Sequence, residues 1–269
     1  MCELFALSSR APATVTLSLE VFAKRGGLTG PHKDGWGIAY YEDGDVNLIR
    51  DAGPAADSPW INFVEKQAPA SCTVISHIRQ ATQGKVNLKN THPFLRELGG
   101  TKHVFAHNGA LKGVDAYYDP TQARFHPIGD TDSEVAFCIL MERMAGIWLD
   151  HSAPPPADDR ARVFQGFADE MGSLGPANFL YADGEYLFAH GNRRTQSNGK
   201  IQPPGLHMLS RTCPGQDNVL CEDGITICGR GQQVVLFASI PLTDEPWTPL
   251  EEGRVIMAAG GEEVSLSGA

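Results

Sequence analysis

The chain has 269 residues and a formal net charge of −10, from 22 Lys+Arg against 32 Asp+Glu. Hydrophobic residues make up 42% and charged residues 20%, which excludes a disordered chain and allows one large domain or two small ones. The acidic balance argues against a nucleic-acid partner, because phosphate binding needs clustered Lys and Arg, and no apolar run approaches the ~20 residues of a membrane-spanning helix.

In chain order, the opening Met1-Cys2-Glu3-Leu4 lacks the basic start and apolar stretch of a signal peptide. The expected location is therefore the cytoplasm, where the six cysteines stay reduced. Leu4, Phe5, Ala6 and Leu7 read as a buried strand that ties the terminus down. Residues 14–25 are a helix candidate. Residues 40–48 carry an Asp-Gly turn between β-prone flanks, which suits a type I′ hairpin because both central residues need positive φ. The same device recurs at residues 179–188 and 221–227. Residues 73–78 and 234–240 read as buried strands.

The clearest helix starts at Thr131-Asp132-Ser133-Glu134, which fits a capping box, and runs to Met144 with so little polar face that it should be covered on both sides. Residues 160–171 form a second helix, with Val163, Phe164, Phe167 and Met171 at helical spacing. Pro154-Pro155-Pro156 sits in a surface loop over about 150–159 inside one domain. After Leu242 only a short tail is expected, mobile from about residue 260. Hairpins without a βαβ rhythm imply an α+β fold with antiparallel sheet.

No two cysteines have the spacing of structural zinc ligands, and Cys72 and Cys138 read as inert buried thiols. Cys213, Cys221 and Cys228 cluster only loosely. His103 and His107 share a strand face and read as core or rim residues rather than metal ligands. No metal or cofactor is implied.

Cys2 stands apart through its position. Removal of Met1 gives it a thiol and an α-amine, with unperturbed pKa values of ~8.5 and ~7.7–8.0, so the amine can take the thiol proton. A cysteine attacking an amide needs an oxyanion site, and Asn108 (side-chain N–H) with Gly109 (backbone N–H) offers one. Taken alone, Asn-Gly is more often a hairpin turn. Arg79 follows a buried strand, where a guanidinium can grip a carboxylate, and Asp132 opens the capped helix. Singly, each reads better as an ion pair or a helix-dipole acid.

Together, Met1-Cys2-Glu3-Leu4, His77-Ile78-Arg79-Gln80-Ala81-Thr82, Thr91-His92-Pro93-Phe94, His107-Asn108-Gly109 and Thr131-Asp132-Ser133-Glu134 resemble the class II glutamine amidotransferases, a branch of the N-terminal-nucleophile hydrolases. Gly26-Gly27 and Asp34-Gly35-Trp36-Gly37 narrow the resemblance to the stand-alone YafJ-like group, and it extends to residues 237–243. The resemblance implies a four-layer αββα sandwich, with residues 1–269 as a single domain. It implies that Cys2 is the nucleophile, its freed α-amine the proton shuttle, and Asn108 and Gly109 the oxyanion hole. Arg79 would hold the α-carboxylate of glutamine, Asp132 its α-ammonium, and Thr82 would lie in the same pocket. The implied reaction is hydrolysis of the glutamine amide through a γ-glutamyl thioester. Two alternatives stand beside it: hydrolysis of a γ-glutamyl peptide or thiol metabolite, and a catalytically idle binding module on the same fold. If amide transfer occurs, the ammonia acceptor belongs to a separate synthase.

Overall fold

In the strand β1 (Glu3–Thr14), Leu4 and Ala6 face one side and Phe5 and Leu7 the other, and both sides are buried. That double burial is what a strand at the centre of a layered fold requires. The computed structural model describes residues 2–14, 24–67, 69–81, 84–148, 153–213, 220–221, 225–227 and 232–265. After β1 come β2 (Trp36–Glu42), β3 (Asp45–Asp51), helix α1 (Pro59–Gln67), β4 (Ser71–Ile78), β5 (Phe94–Leu98), β6 (Thr101–Gly109) and helices α2 (Asp132–Ile147) and α3 (Ala157–Leu174). The second half is β7 (Ala177–Ala182), β8 (Leu187–His190), β9 (Arg194–Thr195), β10 (Ile201–Gln202), β11 (His207–Cys213), β12 (Leu220–Cys221), β13 (Ile225–Ile227), β14 (Gln232–Ala238), β15 (Thr248–Pro249), β16 (Val255–Ala259) and β17 (Glu262–Glu263).

The first sheet has the order β15-β11-β14-β1-β4-β2-β3, with β13 also on β1. The second has the order β17-β16-β8-β7-β6-β5. The pairings within both are antiparallel. Between them lies an apolar layer containing Leu4, Ala6, Ile75, Val104, Ala106, Leu180 and Phe237. Phe105, Phe179 and Phe188 on the far face of the second sheet pack under Phe137, Phe164 and Phe167 of α2 and α3. The far face of the first sheet packs Phe5, Trp36 and Leu236 against Ile61 and Val64 of α1. These are the four layers of an αββα sandwich. Among the described residues no helix is long and apolar enough to cross a membrane.

Several local expectations change. The Asp43-Gly44 turn has positive φ at both residues, 51° and 81°, as type I′ requires. At Asp183-Gly184 only the glycine does, because Asp183 Oδ1 instead accepts the Glu185 and Tyr186 N–H groups in a four-residue loop. In the third hairpin β12 and β13 pair, and its Asp-Gly residues lie outside the described residues. Thr14 belongs to β1 rather than to a helix, residues 15–23 lie outside the described residues, and Lys24 and Arg25 are helical as expected. The loop of about 150–159 is shorter than expected, since α3 starts at Ala157. The capping box at Thr131 is one-sided. Thr131 Oγ1 accepts the Glu134 N–H at 3.2 Å, but the Glu134 carboxylate binds Arg96 and the Gly129 N–H, both at 2.6 Å. The expected mobile tail is corrected for residues 260–265. Gly260 and Gly261 turn the β16–β17 hairpin, and the Gly261 N–H donates to Ser8 Oγ at 3.3 Å. Residues 266–269 lie outside the described residues. Helix α1, which periodicity missed, opens on Ser58-Pro59, with proline at its first position.

Arg160 ties the helical layer to the second sheet. It is 3% exposed, bonds Asp183 at 3.0 Å and Glu185 at 2.6 Å, and lies between the Trp148 and Tyr186 rings. Removing one partner of a buried pair strands the other charge, which costs about 3–5 kcal/mol. Arg160→Met should lower the unfolding free energy by that amount, seen as a fall in the urea midpoint at unchanged slope. A loss below about 1 kcal/mol would show that Asp183 does not depend on this partner.

Candidate active site

Strand pairing places the thiol. Glu3 pairs with Ile78, the last residue of β4, so Cys2 lies beside the chain that follows β4. The Gln80 N–H donates to Cys2 Sγ at 3.3 Å, and the thiol points at the Gln80 carbonyl at 3.5 Å. Burial pushes the thiol pKa up, while the Gln80 N–H and the Arg79 charge act against that rise. Arg79 is 3% exposed, a buried cation rather than a surface ion pair. Its guanidinium donates to Lys85 O at 3.2 Å and to Gly84 O and Asp34 O at 3.5 Å. The Asp34-Gly35 segment fixes its backbone. Arg79 N–H donates to Gly35 O, Asp34 N–H to Arg79 O, and Asp34 Oδ2 accepts the Ala81 N–H at 2.7 Å. Thr82 lies outside the described residues.

Asn108 and Gly109 end β6 on the other sheet. Val104 and Ala106 face the layer between the sheets, as do Leu4 and Ala6, so the period of two turns Asn108 toward the strand that begins after Cys2. Asn108 is fully buried and its Nδ2 donates to Ser239 Oγ at 3.3 Å. The same hydroxyl accepts the Leu4 N–H at 3.0 Å. Asn178 holds the Asn108 backbone, its Nδ2 donating to Asn108 O at 2.8 Å. Asn-Gly here is therefore no hairpin turn. Glycine is required at 109 by close approach, because a Cβ there would overlap the Pro176 carbonyl oxygen.

Asp132, half-buried, begins α2, where a carboxylate complements the helix dipole. Its two oxygens also bind: Oδ2 accepts the Leu111 N–H at 2.7 Å and Oδ1 the Ser133 N–H at 2.9 Å. The carboxylate thus anchors the segment just past Gly109. The structure sets Cys2 against Gln80, the residue after Arg79, and links Asn108 through Ser239 to the same strand start, with Asp132 joined to the segment just past Gly109.

Sequence reasoning missed Ser239, Asn178 and the Glu3–Arg194 pair. Ser239 sits at the end of an apolar run and Asn178 inside one; a polar residue interrupting a buried strand was the available signal. The run at 234–240 stops as β14 at Ala238 because the Ser239 N–H and hydroxyl both bind the Leu4 backbone. Arg194 NH1 donates to Ser239 O at 3.1 Å and NH2 lies 3.9 Å from Glu3. Beside Glu3 opens a cavity of about 490 Å³, lined also by Lys24, Arg25 and His32. His103 and His107 are core residues, bonded to Tyr181 and Ser133. Cys138 is buried, its pKa pushed up to about 11, whereas Cys72 is half-buried. The side chains of Cys213 and Cys221, and all of Cys228, lie outside the described residues.

The family described as glutamine amidotransferases class-II matches residues 1–268 of this chain. The Escherichia coli K12 protein named "Putative glutamine amidotransferase YafJ" is 36% identical, with 98% of this chain and 100% of that protein covered. A crystal structure of a predicted glutamine amidotransferase from Pseudomonas aeruginosa PA01 is 34% identical with a TM-score of 0.69, covering 98% of this chain and 100% of that one. The glutamine PRPP amidotransferase from B. subtilis shares the fold, with a TM-score of 0.63 at 15% identity over 98% of this chain and 48% of that one.

Five buried histidines give the stability a pH signature. Burial lowers the pKa of His77, His92 and His107 and takes His103 and His190 to about 4. The unfolded chain titrates these groups near 6.5 and so binds more protons than the fold below that pH. Their contribution is fully present above pH ~6.5 and is lost as pH falls through the folded pKa values, at up to about 1.4 kcal/mol per pH unit for His103 and His190. Asp183, raised by burial, works in the opposite sense, and His207, lowered by burial, in the same sense as the five. Urea unfolding measured between pH 7.5 and ~4.5 should show this steep acid limb; a flat profile would contradict the neutral burial of the histidines.

Proposed function

The chain belongs to the class II glutamine amidotransferases, and from that membership we propose that it hydrolyses the side-chain amide of glutamine with Cys2 as nucleophile. The observation that carries this reading is the Gln80 N–H on Cys2 Sγ at 3.3 Å, which seats the thiol against the segment that carries the buried Arg79. Burial favours the neutral thiol, so attack needs a base. With Met1 removed, the α-amine of Cys2 takes the thiol proton. The thiolate adds to the γ-carbonyl carbon, and the negative oxygen is met by Asn108 Nδ2 and the Gly109 N–H. The C–N bond breaks, the ammonium returns the proton, ammonia leaves, and a γ-glutamyl thioester remains on Cys2. Water, activated by the neutral amine, hydrolyses it to glutamate and restores the thiol. Arg79 grips the α-carboxylate and Asp132 the α-ammonium of the substrate.

In this proposal residues 1–269 act as one cytoplasmic domain without a cofactor, and ammonia transfer needs a separate synthase. A second reading is hydrolysis of a γ-glutamyl peptide or thiol metabolite, with the same γ-glutamyl contacts.

Purified protein incubated with glutamine should release ammonia, and Cys2→Ala should release none. Asn108→Ala should keep KM and lose ~10²–10³ in kcat, the effect of removing one oxyanion donor. Normal turnover by a folded Asn108→Ala variant removes that residue from the mechanism. A γ-glutamyl dipeptide with kcat/KM well above that of glutamine would move the assignment to the second reading.

A further inference from the structure

The side-chain amide of Asn108 is satisfied on one end only. Nδ2 donates to Ser239 Oγ at 3.3 Å, while Oδ1 is buried with no partner among the described residues. The Ser239 hydroxyl then accepts twice, from Asn108 Nδ2 and from the Leu4 N–H at 3.0 Å, and its own proton has no acceptor among the described residues. Turning the amide by half a turn exchanges the two ends with almost no movement of heavy atoms. The hydroxyl then donates to Oδ1 while still accepting the Leu4 N–H, and both carbonyl and hydroxyl proton are paired. Nδ2 moves to the orphaned position with its hydrogens uncommitted.

We propose that Ser239 is a positioning residue that holds the Asn108 amide nitrogen-forward, so that Nδ2 faces the developing oxyanion. The hydroxyl is well placed for this because it cannot drift. Ser239 is 1% exposed, its N–H donates to Leu4 O at 3.0 Å, and its carbonyl accepts from Arg194 NH1 at 3.1 Å. Leu4 lies two residues after Cys2, in the strand that begins at Glu3. One hydroxyl therefore fixes the donor of the second sheet against the strand start that carries the nucleophile, and Asn178 fixes the donor's backbone from the other side. Without the hydroxyl the amide has no preferred end, and part of the population presents a carbonyl oxygen to the oxyanion, which repels it.

This inference rests on the proposed oxyanion role of Asn108, and a double-mutant cycle in the full chain tests the two separately. Glutaminase kinetics are measured for wild type, Ser239→Ala, Asn108→Ala and the double variant, each checked for folding by circular dichroism. Ser239→Cys is a second variant, close in size to serine but a weak donor. Ser239→Ala should lower kcat about tenfold or more, within the ~10²–10³ limit set by losing the donor outright, and change KM less than about twofold. Ser239→Cys should lose a similar factor. In the Asn108→Ala background, Ser239→Ala should cost less than about twofold, because the group it orients is gone. Unchanged kcat in Ser239→Ala, or an equal loss in both backgrounds, overturns the positioning role alone. Unchanged kcat in Asn108→Ala overturns the oxyanion assignment and this inference with it.

Discussion

Strand β1 is hydrogen-bonded on both edges, to β4 and to β14, and its first residue pairs with the last residue of β4. This pairing is the constraint on which the rest of the site depends. Nucleophiles at chain ends tend to fray, since the first residues of most domains are poorly ordered unless tied down. Here Glu3 and Leu4 sit in the middle of a sheet, with one face against α1 and the other against the second sheet. A register slip of one residue would exchange Leu4 and Phe5 between two buried layers packed for side chains of different size, which opposes the slip. Cys2, one step outside the pairing, inherits its position from that register. The thiol therefore needs no loop to hold it in place, and the Gln80 N–H reaches it because β4 ends where β1 begins.

A chain of buried polar groups carries that order from one sheet to the other. It runs from Glu3 to Arg194, through the carbonyl and hydroxyl of Ser239, to Asn108, and on to Asn178 and Asn192. Most of its members are buried, and a buried polar group without a partner is destabilising by about 1–3 kcal/mol. Such a chain is poor value as stability compared with an apolar core of the same shape. Four of its members nonetheless keep a buried atom without a partner among the described residues: Glu3 Oε2, Arg194 Nε, Asn108 Oδ1 and Asn192 Oδ1. Toward the opposite end of the β7–β8 hairpin, the Arg160–Asp183–Glu185 group is paired and sandwiched by aromatic rings, as a structural cluster should be.

Much of this was legible in the residues. The apolar run Leu4-Phe5-Ala6-Leu7 announced a buried strand, the Asp43-Gly44 turn an antiparallel hairpin, and Thr131 a helix cap that forms. The motif order around Cys2, Arg79, Asn108 and Asp132 pointed to one site, and the fold brings their elements to one region. The illegible parts share a cause: they are long-range. Nothing near residue 134 says that its carboxylate will bind Arg96 rather than the cap, since the two are brought together by the packing of α2 on β5. Gly260-Gly261 reads locally as a flexible tail, yet it docks beside β1 through Ser8. Ser239 looks like the end of a strand, and only the β1–β14 pairing shows that it joins Leu4 to Asn108. Local signals set the elements, and the partners of buried polar groups had to come from the tertiary fold.

The central claim is that a freed Cys2 carries the acyl group. The most direct measurement is peptide mapping by mass spectrometry of protein mixed with glutamine and quenched in acid during turnover. The account predicts an N-terminal peptide that begins at Cys2, with part of it carrying a γ-glutamyl group on that residue. Acylation on Cys72 or Cys138, or turnover by protein that keeps Met1, would contradict it.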